Sequence, residues 1–173
     1  AAQVVEQLRE AGLSKIVMMT GDSDRTAKAI AKRVGVDEYY SEVLPEDKAN
    51  FVEREKQAGR KVIMIGDGIN DSPALSAADV GIAISEGAEI AREVADITVG
   101  ADDLKEIVKL KRLSDALMQR IRRNYRIIVG FNTGLIVCGV TGVLPPTTSA
   151  LLHNTSTLVI GLQSMKNLLD ESE

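Results

Sequence analysis

Two aspartates four positions apart, Asp67 and Asp71, share a glycine-rich stretch with Asn70, and Gly66 and Gly68 flank the first of them. Hard carboxylate and amide oxygens on one loop suit Mg2+ held beside a phosphate. The glycines let the backbone turn tightly and approach a ligand closely. Two other stretches carry matching chemistry. Thr20 and Gly21 offer a hydroxyl and an amide N–H to phosphoryl oxygens, with Asp22 next to them, and Lys48 offers a cation. Phosphoryl transfer needs little beyond these and a nucleophile: donors for the phosphoryl oxygens, a positive charge, and carboxylates for Mg2+. Asp67 reads as the metal ligand. Asp71 either completes the metal's surroundings or hydrogen-bonds the loop. Singly, each residue has a plainer role, as turn residue, cap or solvated helix-start lysine. Their combination, in this order, points to a phosphate site.

Something must bring these loops to one place. A compact apolar run at 16–19 leads into Thr20, and a second at 62–65, bounded by charge and by Gly66, leads into Asp67. Both read as short strands, the second buried on two faces. Further strands are expected at 39–43, 80–84 and 96–99. Helices fall between them: one carrying Val4, Val5 and Leu8 and ending at Gly12, and one with Ala27, Ile30, Ala31 and Val34 that stops at Gly35. Others follow at 45–55, 71–77 and 87–95. Ser23 or Asp24 can cap the second helix. Alternation of strand and helix implies parallel strands with right-handed crossovers, an α/β fold. In such sheets ligands bind beyond the carboxyl ends of the strands, where all three loops lie.

The 173 residues carry a formal net charge of −4, which argues against a nucleic-acid-binding surface. That average hides a split. Between Arg126 and Lys166 there is no Asp, Glu, Lys or Arg. From Asp102 a long helix is expected, with Leu104, Ile107, Val108, Leu110 and Leu113 among charges, running into an apolar stretch at 127–144 that is just long enough for a bilayer core. Pro145 and Pro146 end it, and residues 147–149 can cap a second helix through Met165. Arg120, Arg122, Arg123 and Arg126 before the first span and Lys166 after the second place both ends of the hairpin in the cytoplasm. The single cysteine, Cys138, excludes an internal disulfide. The chain opens inside an apparent helix, with no Met and no leader, and is expected to be a piece of a larger protein.

The motifs TGDS at 20–23, LPEDK at 44–48 and GDGINDSPAL at 66–75, followed by a basic helix entering a hairpin, resemble the C-terminal part of heavy-metal-transporting P-type ATPases, in the haloacid-dehalogenase superfamily. The resemblance covers essentially the whole chain. It implies a parallel-sheet, Rossmann-like α/β domain followed by a two-helix transmembrane hairpin. The parts are a partial phosphorylation domain at 1–101, a connecting helix at 102–126, the hairpin at 127–165 and a tail at 166–173. It further implies Mg2+ at Asp67, Lys48 against an aspartyl-phosphate, and Thr20 and Gly21 holding that phosphate. Asp22 and Asn70 join the phosphate-binding set, and Asp71 joins Lys48 and Asp67 in the catalytic one.

The DKTGT loop with the phosphorylated Asp, the nucleotide-binding and actuator domains and the earlier membrane helices are missing. The chain alone is therefore expected not to hydrolyse ATP, the substrate of a complete pump. Its partners would be those missing parts, the lipid bilayer and a transition-metal ion, in the plasma membrane with the soluble domain cytoplasmic. In the hairpin, Asn132, His153, Asn154 and Thr157 are the expected ion path. HNTST at 153–157 stands where copper pumps carry a Met, and imidazole with amide oxygen favours a harder divalent ion, with manganese, cobalt or zinc open. Two other readings are a soluble phosphatase of the same superfamily and a stand-alone membrane-anchored regulatory subunit.

Overall fold

The computed structural model describes residues 2–66, 69–84, 93–100 and 104–168. These fall into two compact units, one within residues 1–109 and one within 110–173.

In the first unit α1 (Ala2–Glu10) buries Val4, Val5 and Leu8 and is followed by Gly12 at φ +95°. Strand β1 (Val17–Met19) comes next, then α2 (Asp24–Val34), whose buried face is Ala27 and Ala31. Gly35 ends α2 in the left-handed conformation, φ +82°, its N–H donating to the Ala31 carbonyl. Ser23 holds the cap position without its side chain bonding the helix, because its Oγ faces Thr26 Oγ1 at 3.2 Å. Strand β2 (Glu38–Tyr40) precedes α3 (Pro45–Gln57), which starts on a proline where no N–H is needed. Then come β3 (Ile63–Gly66), a 3-10 turn (Ile69–Asp71), α4 (Ser72–Ala77), β4 (Val80–Ile84) and β5 (Ile97–Val99). Most of the expected helix at 87–95 lies outside the described residues.

Every strand pair is parallel, as the alternation requires. β1 pairs with β2 in the register Val17 to Glu38, and β3, β4 and β5 form a second sheet in that order. Among the described residues β1 has β2 as its only partner and β3 has only β4. Side chains from both sheets meet in one core. Val52, Met64, Ala74 and Leu75 are buried together, with Met19 from the end of β1 packed against them. Helix α4 lies so close to β4 that a Cβ at Gly81 would come within 2.6 Å of the Leu75 carbonyl oxygen.

One clasp ties the start of this unit to β2. Arg9 Nη1 donates to Asp37 Oδ1 at 2.9 Å and Nη2 to the Gly35 carbonyl, while the Ile16 N–H donates to Asp37 Oδ2 at 2.7 Å. The Arg9 guanidinium, and then the Ile16 N–H, hold the Asp37 carboxyl below its ordinary range. A carboxyl whose folded pKa is depressed stabilises fully above its unfolded value and loses that contribution as pH falls through the folded one. Asp37→Asn is therefore expected to flatten the fall in the urea midpoint below about pH 4, compared with the unsubstituted chain.

The second unit is helical. Helix α5 (Lys105–Val140) begins in the first unit and supplies most of it, and α6 (Pro146–Ser164) supplies the rest. The apolar helix does not run on to residue 144 as expected. It stops at Val140, where Gly142 turns left-handed at φ +75° and the Val143 N–H reaches back to the Cys138 carbonyl. Nor do residues 147–149 cap α6. Pro145 holds the cap position with Pro146 in the first turn, where an N–H would have no partner in any case. From Ile127 to Val140 the helix measures about 20 Å, against the about 30 Å of a hydrocarbon core. Among the described residues no helix is long and apolar enough to cross a membrane.

Candidate functional site

Lys48 sits in the first turns of α3, and Asp71 closes the 3-10 turn after β3. The sequence separates them by 23 positions; the fold joins them. Lys48 Nζ donates to Asp71 Oδ1 at 2.7 Å, with the side chains 14% and 10% exposed. Asp71 is buried. The room for it comes from Gly66, at the end of β3. A Cβ there would lie 2.6 Å from the Asp71 Cβ and 2.8 Å from its Oδ2. Gly66 was expected only to ease the turn, yet it also vacates the space that the carboxylate occupies. An ammonium carries three donors, so one bond to Asp71 aims Lys48 and leaves N–H groups for a phosphoryl oxygen.

The second cluster follows β1. Thr20 Oγ1 donates to Asp22 Oδ2 at 3.0 Å and accepts the Asp22 N–H at 3.1 Å, so this pair holds its own turn. Three backbone bonds stitch that turn to the segment after β2: Thr20 N–H to the Tyr40 carbonyl, Val43 N–H to the Thr20 carbonyl, and Glu42 N–H to the Asp22 carbonyl. Glu42 adopts φ +54°, a left-handed conformation that costs a non-glycine residue about 1 kcal/mol. No local sequence signal marks Glu42, because its conformation is imposed by this stitching. Gly21 and Asn70 are exposed.

Asp67 lies outside the described residues, as does Gly68. The structure thus brings Lys48 to Asp71 and Thr20 to Asp22. Among the described residues no three His, Cys, Asp or Glu side chains gather as a metal site. The donor chemistry nevertheless fits Mg2+, because Asp71 gives only one oxygen to Lys48 and Asn70 adds an exposed amide. A groove of about 310 Å3 runs along another face of α3, lined by Tyr40, Phe51 and Arg54 among others, and Thr20, Lys48 and Asp71 take no part in it.

In the second unit His153 Nδ1 lies 2.8 Å from Asn132 Oδ1, which joins α6 to α5. An amide oxygen can only accept, so in this bond Nδ1 is the donor. Thr157 Oγ1 bonds the His153 carbonyl one turn back. Asn154, expected on the same stripe, is exposed.

The sequence profile of haloacid dehalogenase-like hydrolases matches residues 1–79. The manganese-exporting P-type ATPase of Mycobacterium leprae is 40% identical over 96% of this chain and 23% of its own length. The copper-transporting P-type ATPase of Rhizobium leguminosarum bv. viciae is 46% identical over 87% of this chain and 18% of its own. A crystal structure of a zinc-transporting PIB-type ATPase in the E2.Pi state superposes with a TM-score of 0.89, at 33% identity, covering 98% of this chain and 27% of that one. The chain spans less than a quarter of the length of these two curated relatives.

Proposed function

We propose, from the premise that this chain belongs to the heavy-metal-transporting P-type ATPases, that it supplies the cation, the Mg2+ carboxylates and two helices of an ATP-driven metal-ion pump. The observation that carries this reading is the buried Lys48–Asp71 pair, which fixes a cation at the carboxyl end of β3. Lys48 contacts the phosphoryl group, and Asp71 holds its ammonium in place. Thr20 and the Gly21 N–H bind phosphoryl oxygens, while Asp22 fixes the Thr20 hydroxyl, and Asn70 adds an amide. Asp67, with Asp71, would hold Mg2+, which neutralises charge on the phosphoryl oxygens when bound. The nucleophilic aspartate comes from another part of the pump. The edges of β1 and β3 that no strand among the described residues pairs suit a strand that brings it.

Residues 127–165 form the membrane hairpin of this pump. The short apolar run of α5 and the hydroxyls of α6 ill suit a lone span, and they fit a bundle whose other helices cover the polar faces. Ile127, Ile128, Ile136, Val137 and Val140 are exposed on α5, which favours apolar surroundings. Asn132 and His153 line the ion path, with Asn154 and Thr157 beside them. Imidazole and amide oxygen favour a borderline or harder divalent ion over copper.

The test is a chimera in which residues 1–173 replace their counterpart in the Mycobacterium leprae pump. It should form an acid-stable phosphoenzyme from ATP. Asp67→Asn should abolish that phosphoenzyme while the protein stays folded, and Asn132→Ala should remove metal activation while leaving phosphorylation by inorganic phosphate intact. Normal phosphorylation of Asp67→Asn would remove the Mg2+ role, and unchanged metal activation in Asn132→Ala would move the ion path elsewhere.

A further inference from the structure

The second unit carries more positive charge than its own carboxylates can answer. Between residues 110 and 173 the basic side chains are Lys111, Arg112, Arg120, Arg122, Arg123, Arg126 and Lys166, and the acids are Asp115, already paired with Lys111, and Asp170, Glu171 and Glu173 at the C-terminus. Arg120 is occupied. Its guanidinium donates to the carbonyls of Ser164, Lys166 and Asn167, the unsatisfied groups beyond the last turn of α6. Asn124 Nδ2 adds a 2.7 Å bond to Ser164 Oγ. Arg122, Arg123 and Arg126 are exposed, and the only bond among them is a long one, Arg126 Nε to the Arg122 carbonyl at 3.4 Å. No carboxylate among the described residues pairs with any of the three.

Their position matters as much as their charge. Arg122 and Arg126 are one turn apart on the same face, with Arg123 beside them. Tyr125, 67% exposed, sits within this group, and the exposed apolar run starts at Ile127. Exposed arginines with a neighbouring tyrosine at the edge of an apolar band match the boundary between lipid headgroups and acyl chains. We infer that Arg122, Arg123 and Arg126 form a binding site for the phosphate of an anionic phospholipid. Each planar guanidinium can meet two phosphate oxygens at once, which three lysines at the same places could not do. Because Arg120 is spent on the end of α6, the site is made of the other three. This inference rests on the membrane reading of residues 127–165.

The experiment uses the full chain reconstituted into phosphatidylcholine vesicles containing spin-labelled phosphatidylglycerol or spin-labelled phosphatidylcholine, with flotation scored first. The expected result is flotation with both, and a preference for phosphatidylglycerol of about fivefold or more in the immobilised fraction. R122Q/R123Q/R126Q should float equally well and lose the preference, while inorganic phosphate at the lipid's concentration should leave the preference of the unsubstituted chain intact. Equal association of the two lipids with the floated protein, or a preference retained by the triple variant, overturns the site and leaves the membrane reading standing. A preference erased by inorganic phosphate overturns the lipid assignment. Absence of flotation with every vesicle overturns the site and the membrane reading together.

Discussion

Asp71→Ala will cost the first unit about 3 kcal/mol, because it leaves the Lys48 ammonium buried without its counter-charge. The cost of taking these charges largely out of water is offset here in part by a 2.7 Å bond, and deleting one partner keeps the desolvation cost while removing that return. A loss of that size consumes a large share of the stability of an ordinary domain. Chemical denaturation of the full chain should show it as a lower midpoint. The control is Lys48→Met with Asp71→Leu, which removes both charges and keeps apolar volume. It should recover most of the loss, since a buried pair is often neutral against apolar replacements. If the double variant is as unstable as Asp71→Ala, the carboxylate acts through something other than Lys48.

Gly66→Ala should be nearly as damaging, for a steric reason. The new methyl would sit 2.6 Å from the Asp71 Cβ, a backbone-anchored atom that cannot swing aside. Overpacking of this kind costs about 1–3 kcal/mol. It also pushes Asp71 off Lys48. The cost should therefore shrink to about 0.5 kcal/mol or less on an Asp71→Gly background, where the opposing Cβ is gone. Equal costs on both backgrounds would place the strain elsewhere on β3.

The sequence signals that proved readable were local. The apolar runs before Thr20 and before Gly66 form β1 and β3, and Gly35 ends α2 at the expected place. Pairing across the chain was harder to see. Lys48 and Asp71 each carried a reading as a separate ligand, and only the packing of α3 against the turn after β3 makes them partners. Ser23 looked like a cap because its own neighbour Thr26, which takes its hydroxyl, is equally ordinary in a first turn. Gly142 was lost among the glycines of an apolar stretch, where nothing distinguishes the one that turns left-handed from Gly139 before it. On α6, adjacent residues point about 100° apart, so small errors of phase decide whether His153 or Asn154 meets Asn132. The structure gives that bond to His153.

The edges of β1 and β3 that no strand among the described residues pairs carry a consequence for handling the chain by itself. A strand with bare N–H and C=O groups is a template for any extended segment of suitable register, including the same edge on another copy. At high concentration such copies would zip together through their sheets, so yield on refolding should depend on dilution more than on temperature. The edges proposed above to take in a further strand become, on the chain by itself, an adhesive.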